Sequence, residues 1–246
     1  VIENAIIDLG FTNEEEIDKC DAVAISPSIY GSKLANKYQN EGKFLCDILT
    51  KHKNIFTIGI TGTNGKTTTV TMIRKILEKA GLNVLIGGNG GGGFEGYYDL
   101  ILEAEKQDYD VMLIEVCDMT LDFCNYCFDF DMIGLTNIGN DHMNVHKTIE
   151  NYKNEVVRFV EGKEIFLAKD QEFKDEFQLS ANETIYFDET KYPLQMFGKF
   201  NRLNAGLAAT ICEKLDIDEA IIKDTLESFK PVEGRLKVLH LNECDI

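Results

Sequence analysis

The sequence predicts an α/β fold in which a mostly parallel sheet is flanked by helices. Short runs of β-branched residues alternate with amphipathic stretches of helical period, as in strand–helix–strand units. A glycine-rich segment, residues 61–68, joins the first clear strand to a helix in the manner of a P-loop. Of the 246 residues, 44% are hydrophobic and 27% charged, an ordinary balance for a folded chain.

The elements of the central region follow from these patterns in order. The helix over residues 148–160 shows the helical period most clearly, because its apolar residues recur on one face. Strands are predicted at residues 55–60, 83–86, 110–115, 131–136, 164–167 and 184–187, and helices at 66–80, 98–106, 148–160, 202–215 and 218–229.

The first 50 residues predict a separate small α/β unit. Residues 22–25 read as a strand that ends at Ser26-Pro27, and residues 13–20 and 31–50 read as helices. These are too few strands for a complete nucleotide-type domain. We therefore expect residues 1–50 to be part of a small Rossmann-like domain and residues 51–236 to form the central domain.

Charge and composition exclude several functions. A net charge of −17 without a cluster of Lys and Arg argues against a general nucleic-acid binder. No apolar run approaches 18 residues, so we expect no membrane insertion. The first residues, from Val1, form no signal peptide and lack a starting Met, and we expect part of a longer cytoplasmic protein. Seven cysteines without a regular framework suggest reduced thiols.

The glycine-rich segment has the chemistry of a phosphate cradle. Gly62 and Gly65 allow the backbone to turn its N–H groups toward phosphate oxygens, and the helix that begins at Lys66 adds its positive end. Lys66 can reach the β- and γ-phosphates, and Thr67 offers a hydroxyl to Mg²⁺. The strict P-loop pattern has Gly where Ile60 stands, one residue after Gly59. The alternative is a tight strand–helix turn without a ligand.

This loop resembles the ATP loop of the Mur ligase superfamily, which includes cell-wall peptide ligases, folylpolyglutamate synthases and cyanophycin synthetases. The family loop has the same displaced glycine. The resemblance implies ATP and Mg²⁺ as cofactors, with Lys66 as a catalytic residue. The residues it assigns to the nucleotide in this loop are Gly62, Thr63, Asn64, Gly65, Lys66, Thr67 and Thr68.

Two segments resemble the metal-binding parts of the family. Val111 to Glu115 is a buried strand that ends in a carboxylate, which in the family holds magnesium. In the segment 135–143, His142 would bind the second magnesium, while Asn137 and Asp141 would orient the loop and the metal waters. The resemblance thus gives Thr67, Glu115 and His142 as metal ligands and the last two also as catalytic. The alternatives are a Glu that caps a turn and a surface histidine.

Two further segments resemble the nucleotide site of the family. Residues 197–209 match its Asn-rich helix start, with Asn204 against adenine and Asn201 nearby, although Phe200 replaces the usual His. A plain helix cap is the alternative for Asn201. Near the end, Gly234-Arg235 matches a segment in which the Arg approaches the nucleotide.

One departure concerns a lysine that many family members carry in carbamylated form between two metals. The equivalent position falls near Val156, with Glu155 beside it. The chain therefore resembles more closely those family members that lack this lysine, such as the muramate–alanine ligases. Glu155 is a candidate substitute carboxylate. A zinc site usually needs a second pair of ligands at a suitable spacing, and the sequence offers none near Cys117, Cys124 and Cys127. We interpret these three cysteines as plain thiols. The glycine run 87–93 is either a substrate loop or a flexible connection.

The resemblance covers roughly residues 20–240 and implies an ATP-dependent ligase that forms amide bonds through an acyl phosphate. Its partners would be an amino acid and a UDP-linked peptidoglycan or pseudomurein precursor, because Ser26-Pro27 resembles the end of a nucleotide-sugar domain. Residues 237–246 would begin a further domain that this chain lacks, so we expect the chain alone to bind Mg·ATP but to ligate poorly. The alternatives are a ligase for folate or polyamide substrates, and an ATP-binding partner subunit without ligation.

Overall fold

The computed structural model describes residues 14–89, 95–139, 143–230, 240–241 and 244–245. Its centre is a parallel sheet of seven strands in the order β3-β2-β4-β1-β5-β6-β7, in which β1 pairs with β4 on one side and β5 on the other. The strands are β1 (Phe56–Thr61), β2 (Val84–Gly88), β3 (Glu95–Gly96), β4 (Val111–Glu115), β5 (Met132–Leu135), β6 (Glu164–Ala168) and β7 (Glu183–Phe187). A small antiparallel pair, β8 (His240–Leu241) and β9 (Cys244–Asp245), follows.

Helices cover both faces of the sheet. Helix α4 packs against α10 and α11 on one face, where Ile58, Ile60 and Leu113 point. Met112 and Ile114 alternate with them and point to the other face, which carries α5, α6 and α8. The helices are α1 (Glu14–Asp18), α2 (Lys33–Asn40), α3 (Leu45–Ile48), α4 (Lys66–Lys79), α5 (Tyr97–Ala104), α6 (Leu121–Cys127), α7 (Met143–His146), α8 (Ile149–Val160), α9 (Lys174–Ser180), α10 (Lys199–Lys214) and α11 (Glu219–Glu227).

The structure confirms the predicted α/β class and the parallel sheet. Each of the six strands predicted over residues 51–230 is present, with ends within two residues of the predicted ones. Helix α10 begins at Lys199, three residues before the predicted start. Helices α6, α7 and α9 were not predicted, because each spans at most seven residues and shows little more than one period of any pattern.

Two predictions for the first 50 residues are wrong. Residues 22–25 do not form a strand: Val23 makes a single bridge with Phe44, so only one residue pairs. The predicted helix over residues 31–50 is broken between α2 and α3. Gly42 adopts a positive φ of 64° there, which ends the first helix and reverses the chain.

The N-terminal segment packs on the central sheet through specific contacts. The Tyr98 hydroxyl donates to the carbonyl of Ile25 at 2.7 Å and accepts from its N–H at 2.8 Å. The Tyr126 hydroxyl donates to Asp47 Oδ1 at 2.9 Å. Buried residues from both parts form one continuous apolar cluster. The division into an N-terminal domain over residues 1–50 and a central domain stays a prediction.

His52 is a buried histidine in the turn that leads into β1. Its Nε2 lies 2.8 Å from the carbonyl oxygen of Cys127, and its ring packs edge-on against Phe128. Burial lowers the pKa of the imidazole below its usual 6.5, and the carbonyl contact offsets this in part. The folded protein therefore favours the neutral ring, whereas the unfolded chain takes up a proton near pH 6.5.

This difference predicts an acid-sensitive stability. Above about pH 6.5, His52 is neutral in both the folded and the unfolded protein, and it does not change the free energy of unfolding with pH. As the pH falls from 6.5 toward the lowered pKa of the folded state, the unfolded chain binds a proton that the folded protein does not. The free energy of unfolding should therefore fall by up to ~1.4 kcal/mol per pH unit. Urea unfolding between pH 7.5 and 5 measures it. The variant His52→Gln, which keeps a donor for the Cys127 carbonyl, should show a shallower loss. Identical profiles for the two proteins would contradict the assignment.

Within the part of the chain that the structure describes, no helix has the length and apolar character needed to cross a membrane.

Candidate nucleotide-binding site

The candidate site lies at the carboxyl edge of the three central strands. Because β1, β4 and β5 are parallel and adjacent, Thr61, Glu115 and Leu135 end at the same edge of the sheet. The segment 61–68 leaves β1 there and enters α4. This is the edge at which open parallel sheets bind ligands.

The loop depends on two glycines. Gly62 and Gly65 have φ values of 122° and 92°, a region that residues with a Cβ rarely adopt. A Cβ on Gly62 would lie 2.7 Å from the carbonyl oxygen of Asn137. A Cβ on Gly65 would lie 2.8 Å from Nδ2 of Asn204 and closer still to its Oδ1. Both positions therefore require glycine for conformation and for space.

Asn137, which follows β5, holds the loop in shape. Its side chain accepts from the N–H of Asn64 at 3.1 Å and donates to the carbonyl of Asn64 at 2.7 Å. Its backbone carbonyl accepts from the N–H of Thr63 at 2.9 Å. The hydroxyl of Thr63 accepts from the N–H of Gly139 at 2.9 Å. The resemblance implies that Asn137 orients its own loop and the metal waters, and the contacts show that it also holds the backbone of the glycine-rich segment 61–68.

Lys66 lies over the loop. Its Nζ donates to the carbonyl oxygens of Gly62 at 2.5 Å and Thr63 at 3.0 Å, so the ammonium group is already within the turn. Thr67 and Thr68 follow in the first turn of α4 and are buried. The first N–H groups of an α-helix have no partner within the helix, and they point out of its end toward this loop.

The glycine that departs from the strict P-loop pattern has a packing role. A Cβ on Gly59 would lie 2.8 Å from the ring of Phe130 and 2.9 Å from Ile133. Gly59 thus permits close packing of β1 against Phe130 and Ile133, and it stands one residue before the glycine position of the strict pattern. Ile60 occupies the pattern position and is fully buried.

Glu115 ends β4 beside the loop and is almost fully buried. Its backbone is fixed on two sides. The Tyr97 hydroxyl donates to its carbonyl at 3.4 Å and accepts from the N–H of Cys117 at 3.1 Å, while the N–H of Asn89 donates to the same carbonyl at 2.8 Å. No pattern in the sequence indicates that Tyr97 lies in this position.

A pocket of about 490 Å³ adjoins the loop. Asn204 lies in its wall and is 5% exposed, whereas Phe200 is 55% exposed and presents its ring at the pocket. Asn201 is buried, and its Nδ2 donates to the Phe197 carbonyl at 2.7 Å, so it fixes the start of α10. Of the two predicted amides, Asn204 lines the pocket and Asn201 does not. The pocket is lined by Asn64, Gly65, Thr136, Asn137, Phe200, Leu203 and Asn204.

Several predicted residues lie outside the described part of the chain. These are Asp141 and the predicted metal ligand His142, the nucleotide contact Arg235, and residues 90–93 of the glycine run. Their roles stay predictions.

The position expected for a carbamylated lysine is occupied by the apolar core. Val156 is fully buried in α8 and cannot act on a metal. Glu155 is partly exposed, and its Oε2 lies 2.8 Å from Nδ1 of His146. Nε2 of His146 in turn contacts Asp118. Neither His146 nor Asp118 was predicted as a site residue, because a lone His and a lone Asp leave no pattern in the sequence.

The three cysteines considered for a metal are buried free thiols. Burial raises the pKa of Cys117 and raises that of Cys124 to about 12, so both stay protonated. Sγ of Cys127 lies 3.0 Å from Sγ of Cys46. Among the described side chains, no group of three or more His, Cys, Asp or Glu is arranged to hold a metal ion.

The family model of the Mur ligase middle domain matches residues 60–191, more than half of the chain. The chain belongs to the Mur ligase middle domain family. This confirms the resemblance to the Mur ligase superfamily, and the match includes the loop at residues 61–68.

A curated relative is the UDP-N-acetylmuramoylalanine–D-glutamate ligase of Francisella tularensis subsp. novicida, which is 26% identical over an alignment 257 positions long, gaps included. The alignment covers 95% of this chain and 58% of the relative. The chain therefore spans little more than half the length of the curated relatives it matches.

Two solved structures have the same fold. The pseudomurein peptide ligase type C from Methanothermus fervidus has a TM-score of 0.61 at 23% identity, over 92% of this chain and 61% of that one. The bifunctional folylpolyglutamate synthase/dihydrofolate synthase from Yersinia pestis, complexed with AMPPNP and Mn ion, has a TM-score of 0.62 at 17% identity. That match covers 80% of this chain and 62% of the other.

Proposed function

We propose that this chain is the ATP-binding part of a ligase that forms an amide bond through an acyl phosphate. One arrangement carries the proposal. The glycine loop with Lys66, the buried carboxylate of Glu115 and the pocket beside Asn204 all meet at one edge of the sheet. Membership of the Mur ligase family supports the same reaction class.

The residues present fit a magnesium nucleotide. The glycine turn is free of the Cβ atoms that would fill it, and the start of α4 gives N–H groups for phosphate oxygens. Thr67 and Glu115 are oxygen ligands of the kind that Mg²⁺ prefers, with His142 as the third proposed ligand. The bound ion would neutralise charge on the phosphates. A related fold has been solved with AMPPNP and Mn ion.

The pocket suits the base of ATP. The Asn204 amide can donate to one atom of the adenine edge and accept from the next. The exposed face of the Phe200 ring can stack on the base, a contact that a heterocycle and a phenyl ring both favour. Asn201 contributes by holding the helix that carries both side chains, and Arg235 remains a proposed contact.

The chemistry divides into two displacements. In the first, a substrate carboxylate oxygen attacks the γ-phosphorus and ADP leaves, so the carboxylate becomes an acyl phosphate. Lys66 stabilises the charge that develops on the phosphoryl oxygens. In the second, an amine attacks the acyl carbon, phosphate leaves, and the amine nitrogen loses a proton.

The proposed substrate is a UDP-linked cell-wall precursor, of peptidoglycan or pseudomurein, which receives an amino acid or peptide. Its support is the similarity to a UDP-N-acetylmuramoylalanine–D-glutamate ligase and to a pseudomurein peptide ligase. Folate and polyamide substrates remain the alternative within the family. A cytoplasmic location is part of the proposal.

A hydroxylamine trap tests this function on the full-length protein. With Mg·ATP and the correct carboxylate substrate, hydroxylamine should capture the acyl phosphate as a hydroxamate, with one ADP formed for each hydroxamate. The substrates to compare are UDP-linked peptides, folates and free amino acids. Binding of Mg·ATP without hydroxamate from any of them would contradict ligation and favour a partner subunit.

A further inference from the structure

A buried histidine is held between two carboxylates near the candidate site. Nε2 of His146 lies 2.8 Å from Oδ2 of Asp118, and Nδ1 lies 2.8 Å from Oε2 of Glu155. The side chains of His146 and Asp118 are almost completely buried, whereas that of Glu155 is about one-third exposed. The imidazole also stacks on the ring of Tyr152, with centroids 4.5 Å apart.

The three side chains join three separate elements. Asp118 lies in the loop between β4 and α6, His146 is the last residue of α7, and Glu155 lies in the middle of α8. The amide of Asn151 donates to the backbone carbonyl of His146 at 2.9 Å, which fixes the turn between α7 and α8. We call Asp118, His146 and Glu155 the carboxylate–histidine brace.

The geometry uses both ring nitrogens of the histidine. Nε2 of His146 faces Asp118 and Nδ1 faces Glu155, on different sides of the ring. A glutamine or asparagine at position 146 has a single amide nitrogen and cannot place one toward each carboxylate. Among the described side chains, Cys117 and Tyr152 are titratable groups that also contact the brace.

The brace lies next to the stretches of chain that carry the proposed metal ligands. Asp118 is three residues after Glu115, whose backbone is held on the other side by Tyr97. Helix α7 begins at residue 143, directly after His142. The contact between Asp118 and His146 therefore joins the segment that follows Glu115 to the helix that follows His142.

We propose that the carboxylate–histidine brace is a positioning group for the metal–nucleotide site. It sets the distance between the loop that follows β4 and helix α7, and it acts through Glu115 rather than by contact with substrate. Some side chains orient the ligands of a metal without binding the metal themselves. Their replacement typically lowers metal affinity by about 10- to 100-fold. The inference rests on the proposed function, because it assumes that magnesium and a nucleotide bind at this edge.

Metal affinity separates this role from plain structural support. We would titrate Mn²⁺ into the full-length protein with AMPPNP and follow free Mn²⁺ by electron paramagnetic resonance. His146→Gln should raise the Kd for Mn²⁺ by about tenfold or more, while AMPPNP binding at saturating Mn²⁺ stays within about threefold of the parent. High Mn²⁺ should therefore restore nucleotide binding.

His52→Gln is the matched control, because it makes the same change at a histidine that is equally buried but bonded to a carbonyl. It should alter stability and leave the Kd for Mn²⁺ unchanged. Glu155→Gln, at a partly exposed position, covers the case in which His146→Gln does not fold. Glu155→Asp, which keeps the charge, should recover part of the affinity.

Two results would overturn the inference in distinguishable ways. An unchanged Kd for Mn²⁺ in folded His146→Gln and Glu155→Gln would show that the brace only supports the fold, with the proposed function intact. Failure of the parent protein itself to bind Mn²⁺ with AMPPNP would refute the proposed function, and the brace with it.

Discussion

Replacement of Lys66 by Met should lower the rate of ATP-dependent ligation by the full-length protein by about 10²- to 10³-fold. Met keeps much of the length and apolar stem of Lys but removes the ammonium group. That group lies 2.5 Å from the Gly62 carbonyl and 3.0 Å from the Thr63 carbonyl, within the turn proposed to hold the phosphates. The charge that it supplies is needed most as the phosphoryl group moves, so kcat should fall more than KM for ATP rises.

Steady-state kinetics with the hydroxamate assay would measure this effect, and thermal unfolding would report any loss of fold. Lys79→Met is the control, since Lys79 ends the same helix and lies exposed at its far end. Its activity should stay within about threefold of the parent, as expected for a surface position. A Lys66→Met enzyme with the same kcat as the control would show that Lys66 has no catalytic role.

The sequence was sufficient for six of the seven strands of the sheet, because these six are apolar and separated by helices of clear period. The edge strand β3 spans only two residues and was not predicted. Glu115 and Thr61 could be placed at one edge of the sheet from the strand pattern alone, since parallel neighbours end together. The same reasoning failed for residues 22–25. Their apolar pattern is that of a strand, but the segment finds only one pairing residue, Phe44, and packs on the sheet instead.

The parts of the site that could not be predicted depend on contacts between distant residues. Asn137 clamps Asn64 from 73 positions away, and His146 reaches Asp118 across 28. Neither contact leaves a local pattern in the sequence. Phe200 is an intermediate case: its departure from the family motif was visible, but its exposure at the pocket was not.

Gly65 joins the glycine-rich loop to the pocket, and both require that position 65 carries no side chain. Gly65→Ala should weaken AMPPNP binding by about 100-fold, which corresponds to ~2.7 kcal/mol. The added Cβ would lie 2.8 Å from Nδ2 of Asn204 and closer to its Oδ1, so the amide proposed to contact adenine must move. The φ of 92° adds a backbone penalty of roughly 1–2 kcal/mol to folding.

Gly81 allows the two causes to be separated. It has nearly the same φ, 90°, but no heavy atom lies within 4 Å of where its Cβ would be. Gly81→Ala should therefore show the backbone penalty alone, with normal AMPPNP affinity, so the excess loss of stability in Gly65→Ala measures the contact with Asn204. The double variant Gly65→Ala/Asn204→Ala should regain that excess but not the affinity, because the amide is gone. Equal losses of stability for the two single variants, together with normal AMPPNP binding by Gly65→Ala, would refute the proposed coupling between the loop and the pocket.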